Sequence, residues 1–268
     1  MTAIFGVIAG VAIVFLANGM EGDPAIVLLK SGAAMIVFGG TFAALLVDCG
    51  LANMLAGCRG LTWLVKAPRT DPCKFIEDIT EWSRTSRGKG ALALEPIIEE
   101  LSDQFIKLGL RGIVDGRTYE ELRDTLYLVG EVEDREYEVA GQVWEAAGGY
   151  APTIGVLGAV IGLIHVMLNL NNPGSLGTGI ATAFVATVYG VGGANLIFLP
   201  LAARLKAISK GRATFREMVI EGMLLMRKEA GPMVIRDRLE SLLESRRRVR
   251  NEAASAPMQV DQQLAEAD

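Results

Sequence analysis

Arg87, Lys89 and Glu95 stand close together in the segment SRGKGALALE, residues 86–95. Opposite charges beside Gly88 and Gly90 suit a protruding turn that meets a charged partner. As isolated surface charges they are ordinarily solvated, worth about 0–1 kcal/mol per pair. A second group of polar residues lies in an apolar setting. Pro152 and Pro200 each leave a backbone carbonyl without its helical donor, and in lipid such a carbonyl must find another partner or line a wet path. Thr153, Thr187, Tyr189 and Asn195 add hydroxyl and amide groups nearby. His165, the only histidine, is open to a relay role or to a hydrogen-bonded interfacial one, the second being more ordinary. Gly158 and Gly162, and the row Ala186, Gly190 and Ala194, repeat small residues at four-residue spacing. Such rows let helix backbones approach closely, within one subunit or between subunits. No phosphate loop, metal-ligand cluster or nucleophile-and-base pair accompanies them. Cys49, Cys58 and Cys73 lack ligand spacing and read as reduced thiols. Neither an enzyme, a resident metal nor a cofactor is expected.

The elements that position these residues are written in the charge pattern. Between Glu145 and Arg204 there is no Asp, Glu, Lys or Arg. A bilayer core takes about 20 apolar residues per helix, so this stretch holds two spans around the loop NNPGSLGTG, residues 171–179. Two further spans are expected in AIFGVIAGVAIVFLA (3–17) and SGAAMIVFGGTFAALLV (31–47). No Lys or Arg precedes the first, which argues against a secretory signal. Apart from Lys30, the 26 Lys and Arg residues lie within Arg59–Arg135 and Arg204–Arg250. The positive-inside rule then places the middle segment, the tail and both termini in the cytoplasm, with both hairpins outward. The expected fold is an all-α integral membrane protein with four transmembrane helices and a helical cytoplasmic domain. Its parts are residues 1–48 (first two spans), 49–146 (cytoplasmic), 147–203 (third and fourth spans), 204–252 (cytoplasmic tail helices) and 253–268 (disordered). The net charge of −5, without a basic aromatic stripe, gives no reason to expect nucleic-acid binding.

Within the cytoplasmic part, residues 73–116 read as two or three short helices broken by Gly88, Gly90 and Pro96. Thr118 and Glu121 form a capping-box pattern that starts a helix running directly into the third span. The acidic run from Glu131 to Glu138 reads as a solvated face. A tail helix near 203–229, a break at Gly231-Pro232 and a second helix near 234–250 follow. The cluster RRRVR at its end can touch membrane lipid or a partner, or simply end a solvated helix.

The stretch GGYAPTIGVLGAVIGLIHVMLNLNNPGSLGTGIATAFVATVYGVGGANLIFLPLAARLKA, residues 148–207, resembles the third and fourth spans of the MotA/PomA flagellar stator family, especially its MotC branch. SRGKGALALE and LRGIVDG, with the Glu-rich helix after it, are similar to further family segments. The resemblance fades after Arg250. It implies five such subunits around two copies of a single-span, peptidoglycan-gripping MotB-like partner, which supplies the aspartate for ion translocation. It implies that Arg87 and Glu95 face the rotor protein FliG. Relatives often carry a basic residue directly after the arginine; Gly88 stands there, with Lys89 one step later. Pro152 and Pro200 would couple ion passage to movement, and Thr187 would face the pore. Sodium-driven relatives tend to carry threonine where this chain has Ala159, so protons are the expected ion. The nearest rival is an ExbB/TolQ-like proton-driven subunit for envelope transport, which usually has three spans and another charge layout. A membrane scaffold without ion flux would leave Pro152 and Thr187 idle.

Overall fold

A computed structural model describes residues 2–20, 29–65, 71–168, 173–246 and 248. Residues 21–28, residues 171 and 172 and the tail expected to be disordered lie outside the described residues; the rest of the expected 171–179 loop is not loop but the start of a helix at Pro173, proline being suited to a first helical turn. Every regular element among the described residues is helical. They are α1 (Thr2–Met20), α2 (Ser31–Leu64), α3 (Pro72–Lys89), α4 (Glu95–Glu100), α5 (Gln104–Val114), α6 (Tyr119–Leu168), α7 (Pro173–Gly192, a π-helical turn Gly193–Phe198, then Leu199–Arg227) and α8 (232–246). Three helices are long and apolar enough to cross a membrane: Ser31–Leu64, Tyr119–Leu168 and Leu176–Arg227.

Packing divides the chain into two compact units. The first comprises residues 1–68 and 134–210. Its core joins Leu45, Leu64, Trp144, Ala147, Ala151, Ala194, Phe198, Ala202 and Leu205. Gly50 interrupts α2 with φ 73° and ψ 166°, a conformation that costs any residue with a Cβ about 1–3 kcal/mol. The apolar run therefore ends in an elbow, and the segment after it docks on α6. There Trp144 donates its indole N–H to the Gly57 carbonyl at 3.0 Å, and Trp63 stacks at 4.1 Å on Tyr137.

The second unit comprises residues 69–133 and 211–268. Phe75, Ile79, Leu94, Leu110, Leu122, Leu126, Met218, Met223, Ile235 and Leu239 form its centre. Asp71 caps α3, accepting from the N–H groups of Cys73 and Lys74 at 3.1 Å, with Pro72 at the first helical position. That makes Asp71-Pro72 a helix start, and α3 then runs unbroken through Gly88 to Lys89. Gly88 and Pro96 are thus not breaks: Pro96 lies in the first turn of α4, where a missing N–H has no cost. The tail helix ends in a 6→1 bond from Ala230 N–H to Leu225 carbonyl, with Glu229 left-handed at φ 56°. The chain turns there, ahead of Gly231-Pro232.

The capping box is complete. Thr118 N–H donates to Glu121 Oε2 at 2.9 Å, and Glu121 N–H donates to Thr118 Oγ1 at 3.2 Å. The bond from the Thr118 backbone, then that from its hydroxyl, holds the Glu121 carboxyl below its usual value. A depressed folded pKa gives stability that is present above the unfolded carboxylate value, about 4.3, and is lost as pH falls through the folded one. Glutamine also serves this position. Glu121→Gln is therefore expected to lower thermal stability slightly at pH 7 and to flatten its decline as pH falls below about 4.3. An unaltered acid limb in a thermal melt series would refute the linkage.

Candidate functional site

The α6–α7 hairpin meets backbone to backbone. A Cβ placed on Gly190 would lie 2.6 Å from the Ala151 carbonyl oxygen and 2.9 Å from Gly155 Cα. One placed on Gly155 would lie 2.9 Å from the Ala186 carbonyl oxygen and 3.0 Å from Gly190 Cα. One turn on, Gly158 lies against Ala186 and Ile36, and Gly162 against Ala183. Ala194 is fully buried among Trp144, Ala147, Ala151 and Phe198. Gly155 and Ala183 belong to this seam as much as the residues picked out by spacing. Their signal was present, since Gly155 begins a run of small residues with Gly158 and Gly162, but its three-residue offset falls outside a strict four-residue pattern.

The two prolines adjoin this seam through their neighbours. Pro152 has no N–H for the Gly148 carbonyl. A Cβ on Gly148 would come within 2.5 Å of Leu199 Cδ2, so the weakened turn of α6 packs directly on the residue before Pro200. Pro200 follows the π-helical turn Gly193–Phe198, a widened turn of the kind that accommodates displaced carbonyls. Within it Asn195 Nδ2 donates to the Val191 carbonyl at 2.9 Å. Pro152 is half-buried, and Pro200 is exposed on the single chain. Thr187 and Ala159 are half-buried; Thr153 is exposed and donates to the Tyr150 carbonyl at 2.8 Å. His165 is exposed near the end of α6. Tyr189 accepts from the Lys30 N–H at 3.3 Å, tying α7 to the start of α2. Below the charge-free stretch, Lys206 closes an ion pair with Glu145 at 2.5 Å.

The charged segment lies in the other unit. α3 carries Arg87 and Lys89 in its last turn, Gly90 reverses the chain at φ 86°, and the 3-10 turn Ala91–Leu94 leads into Glu95 at the start of α4. Of the two glycines only Gly90 turns the chain; Gly88 is helical. Leu94 is wholly buried and pins the turn to the core, while Arg87, Lys89 and Glu95 stay exposed. Arg87 Nη1 donates to the Glu229 carbonyl at 2.6 Å. The acidic run departs from a purely solvated face at Glu133, which accepts from the buried Arg216 at 2.5 Å. A sequence pattern gives no sign of that pair because its members lie 83 residues apart. Among the described residues no group of three His, Cys, Asp or Glu side chains could hold a metal.

Helical throughout its described residues, with three helices long and apolar enough to cross a membrane, the chain has the makeup of a helical membrane protein. Comparison with known proteins makes this specific. The profile of the MotA/TolQ/ExbB proton channel family matches residues 97–218. Motility protein A of Bacillus subtilis is 33% identical over 252 residues, covering 93% of each chain. Chemotaxis protein PomA of Vibrio alginolyticus is 26% identical over 250 residues, 92% of this chain and 97% of that one. Two solved structures share the fold. The flagellar MotAB stator complex from Bacillus subtilis matches with a TM-score of 0.80 and 31% identity, over 92% of this chain and 97% of that one. The C. jejuni MotAB structure matches with a TM-score of 0.83 and 25% identity, over 90% and 94%. The chain belongs to the motility protein A family of flagellar stator subunits.

Proposed function

We propose that this subunit couples proton flow across the bacterial inner membrane to torque on the flagellar rotor, in complex with a MotB-like partner. The observation that carries this reading is the agreement with motility protein A over 93% of both chains, together with a hairpin that holds no carboxylate of its own. The titrating aspartate then sits on the partner. A ring of such hairpins, five by family precedent, shelters a charge that costs about 3 kcal/mol at a helix centre. Thr187 and the carbonyls released by Pro152 and Pro200 supply polar groups along the path, and Ala159 stands where sodium-driven relatives tend to carry threonine. Four spans complete the layout, since α1, at 19 residues and about 28 Å, matches the hydrocarbon thickness. Both termini are then cytoplasmic, residues 49–146 and 204–252 face the cytoplasm, and Arg87, Glu95 and Lys89 meet FliG. No catalytic step and no cofactor enters this mechanism.

The test is motility in a strain lacking its own stators and supplied with this chain and its partner. The intact pair is expected to restore swimming at a speed independent of sodium at fixed pH. Charge reversal at Arg87 or Glu95 is expected to abolish it. Swimming that follows the sodium concentration would overturn the choice of ion. Restoration indifferent to both reversals would overturn the assigned rotor contact.

A further inference from the structure

Three helices of the first unit are interrupted at one level. In α6 the Gly148 carbonyl loses its donor at Pro152. The same turn packs on Leu199 of α7, which lies between the π-helical turn Gly193–Phe198 and Pro200. The third interruption is Gly50 in α2. Contacts on either side of it fix its level. On one side a Cβ on Gly40 would lie 2.9 Å from Ile154 Cγ2. On the other, one on Gly57 would lie 2.7 Å from Val143 Cγ1 and one on Gly60 2.7 Å from Ala140 Cβ. α2 and α6 therefore run antiparallel, and Gly50 falls opposite the 148–152 turn. At that level the Tyr150 hydroxyl hydrogen-bonds the Asp48 carboxylate. A Cβ on Gly50 would meet nothing within 4 Å, so glycine is required there by backbone conformation alone.

We propose that Gly50, Asp48 and Tyr150 are positioning residues for the movement that drives torque: the Gly50 elbow lets α2 bend where α6 and α7 bend, and the bond between Tyr150 and Asp48 holds α2 and α6 in register across the bend. The inference rests on the reading above, in which proton flow is coupled to torque, and adds a third helix to the two that carry Pro152 and Pro200. A bend in α6 beside an unbroken neighbour would drive close-packed side chains into one another, because packed interfaces do not deform continuously. With both helices interrupted at one level, the change falls on a few residues, as in a hinge. On one side of it Trp144 and Trp63 fasten residues 51–64 to α6, so the two segments move as one piece. On the other side Ile36 packs against Gly158, and the Tyr189 hydroxyl accepts from the Lys30 N–H, which keeps α2 on the hairpin.

The test uses this chain with its partner in a strain lacking its own stators. Torque per stator unit is read from stepwise speed changes of a loaded motor, and proton conductance is measured on the same complex. A residue that only supports folding changes the number of working units and leaves the ratio of torque to conductance as it was. Tyr150→Phe and Asp48→Ala are each expected to lower that ratio by about two- to tenfold, the range that one hydrogen bond supports. The double variant is expected to fall no further than either alone. Asp48→Asn keeps an acceptor for the hydroxyl and is expected to keep the wild-type ratio. Gly50→Ala, which favours an unbroken α2, is expected to give the largest fall. Wild-type ratios in both Tyr150→Phe and Asp48→Ala would overturn the proposal, whether or not Gly50→Ala folds. A loss in Asp48→Asn equal to that in Asp48→Ala, with conductance itself reduced, would make Asp48 a proton acceptor and overturn it as well. An intact complex that conducts protons but restores no swimming would instead remove the motor reading beneath it.

Discussion

Gly155→Ala and Gly190→Ala are each expected to destabilise the α6–α7 hairpin by about 2–3 kcal/mol and to abolish motility. The added methyl at either position meets backbone: carbonyl oxygens at 2.6 and 2.9 Å and glycine Cα atoms at 2.9 and 3.0 Å. Backbone cannot rotate away as a side chain does, so the helices must separate along the whole seam. Separation also undoes the contacts of Gly158 with Ala186 and Gly162 with Ala183, and shifts Gly148 from Leu199. The carbonyl released by Pro152 and the turn before Pro200 then lose their common register. Gly192→Ala is the control, since a Cβ there meets nothing within 4 Å on this chain. The check is the melting temperature of the detergent-purified complex alongside swimming. Alanine at Gly190 with an unchanged melting point would show that the seam is looser than drawn.

Arg216→Ala is expected to have an effect of similar size, a loss of about 3 kcal/mol in the unit that carries the charged segment. Arg216 is 4% exposed. Its Nη1 donates to the Gly130 carbonyl at 3.2 Å, its Nη2 to Glu133 at 2.5 Å, and its guanidinium lies 5.1 Å from the centroid of the Phe105 ring. Truncation removes the extra donor to the Gly130 carbonyl, leaves Glu133 without this partner and opens a void beside Phe105. Glu133 is 38% exposed at its side chain, so solvent screens part of the pair and the figure stays at the lower end for a broken buried ion pair. Arg216→Lys is expected to recover about half the loss, because an ammonium cannot make the two divergent bonds at once. Urea unfolding followed by helical circular dichroism measures both. A midpoint for Arg216→Ala within experimental scatter of wild type would remove Arg216 from the framework of this unit.

Much of this protein is legible along the chain because the causes are local. The absence of charge between Glu145 and Arg204 marks the apolar hairpin, since bilayer cost is counted residue by residue. Thr118 and Glu121 announce the start of α6 because their reciprocal bonds span three residues. The family resemblance is legible for the same reason: SRGKGALALE and the 148–207 stretch carry it as contiguous strings. Other readings failed where the same residue serves opposite ends of a helix. Pro96 and Asp71-Pro72 punctuate the sequence, and only the hydrogen bonds around them show that they begin helices.

The sequence by itself determined the helical class, the apolar segments and the family. The tertiary structure decided which small residues touch, which arginine is buried, and which helices are interrupted at one level. Gly155 meets Gly190, Arg216 meets Glu133, and Gly50 falls opposite the 148–152 turn across long separations. Periodicity reports only which face of a helix a residue occupies; which residue it meets there depends on how far one helix is slid and turned against the next, and that is set by all the side chains of the interface together.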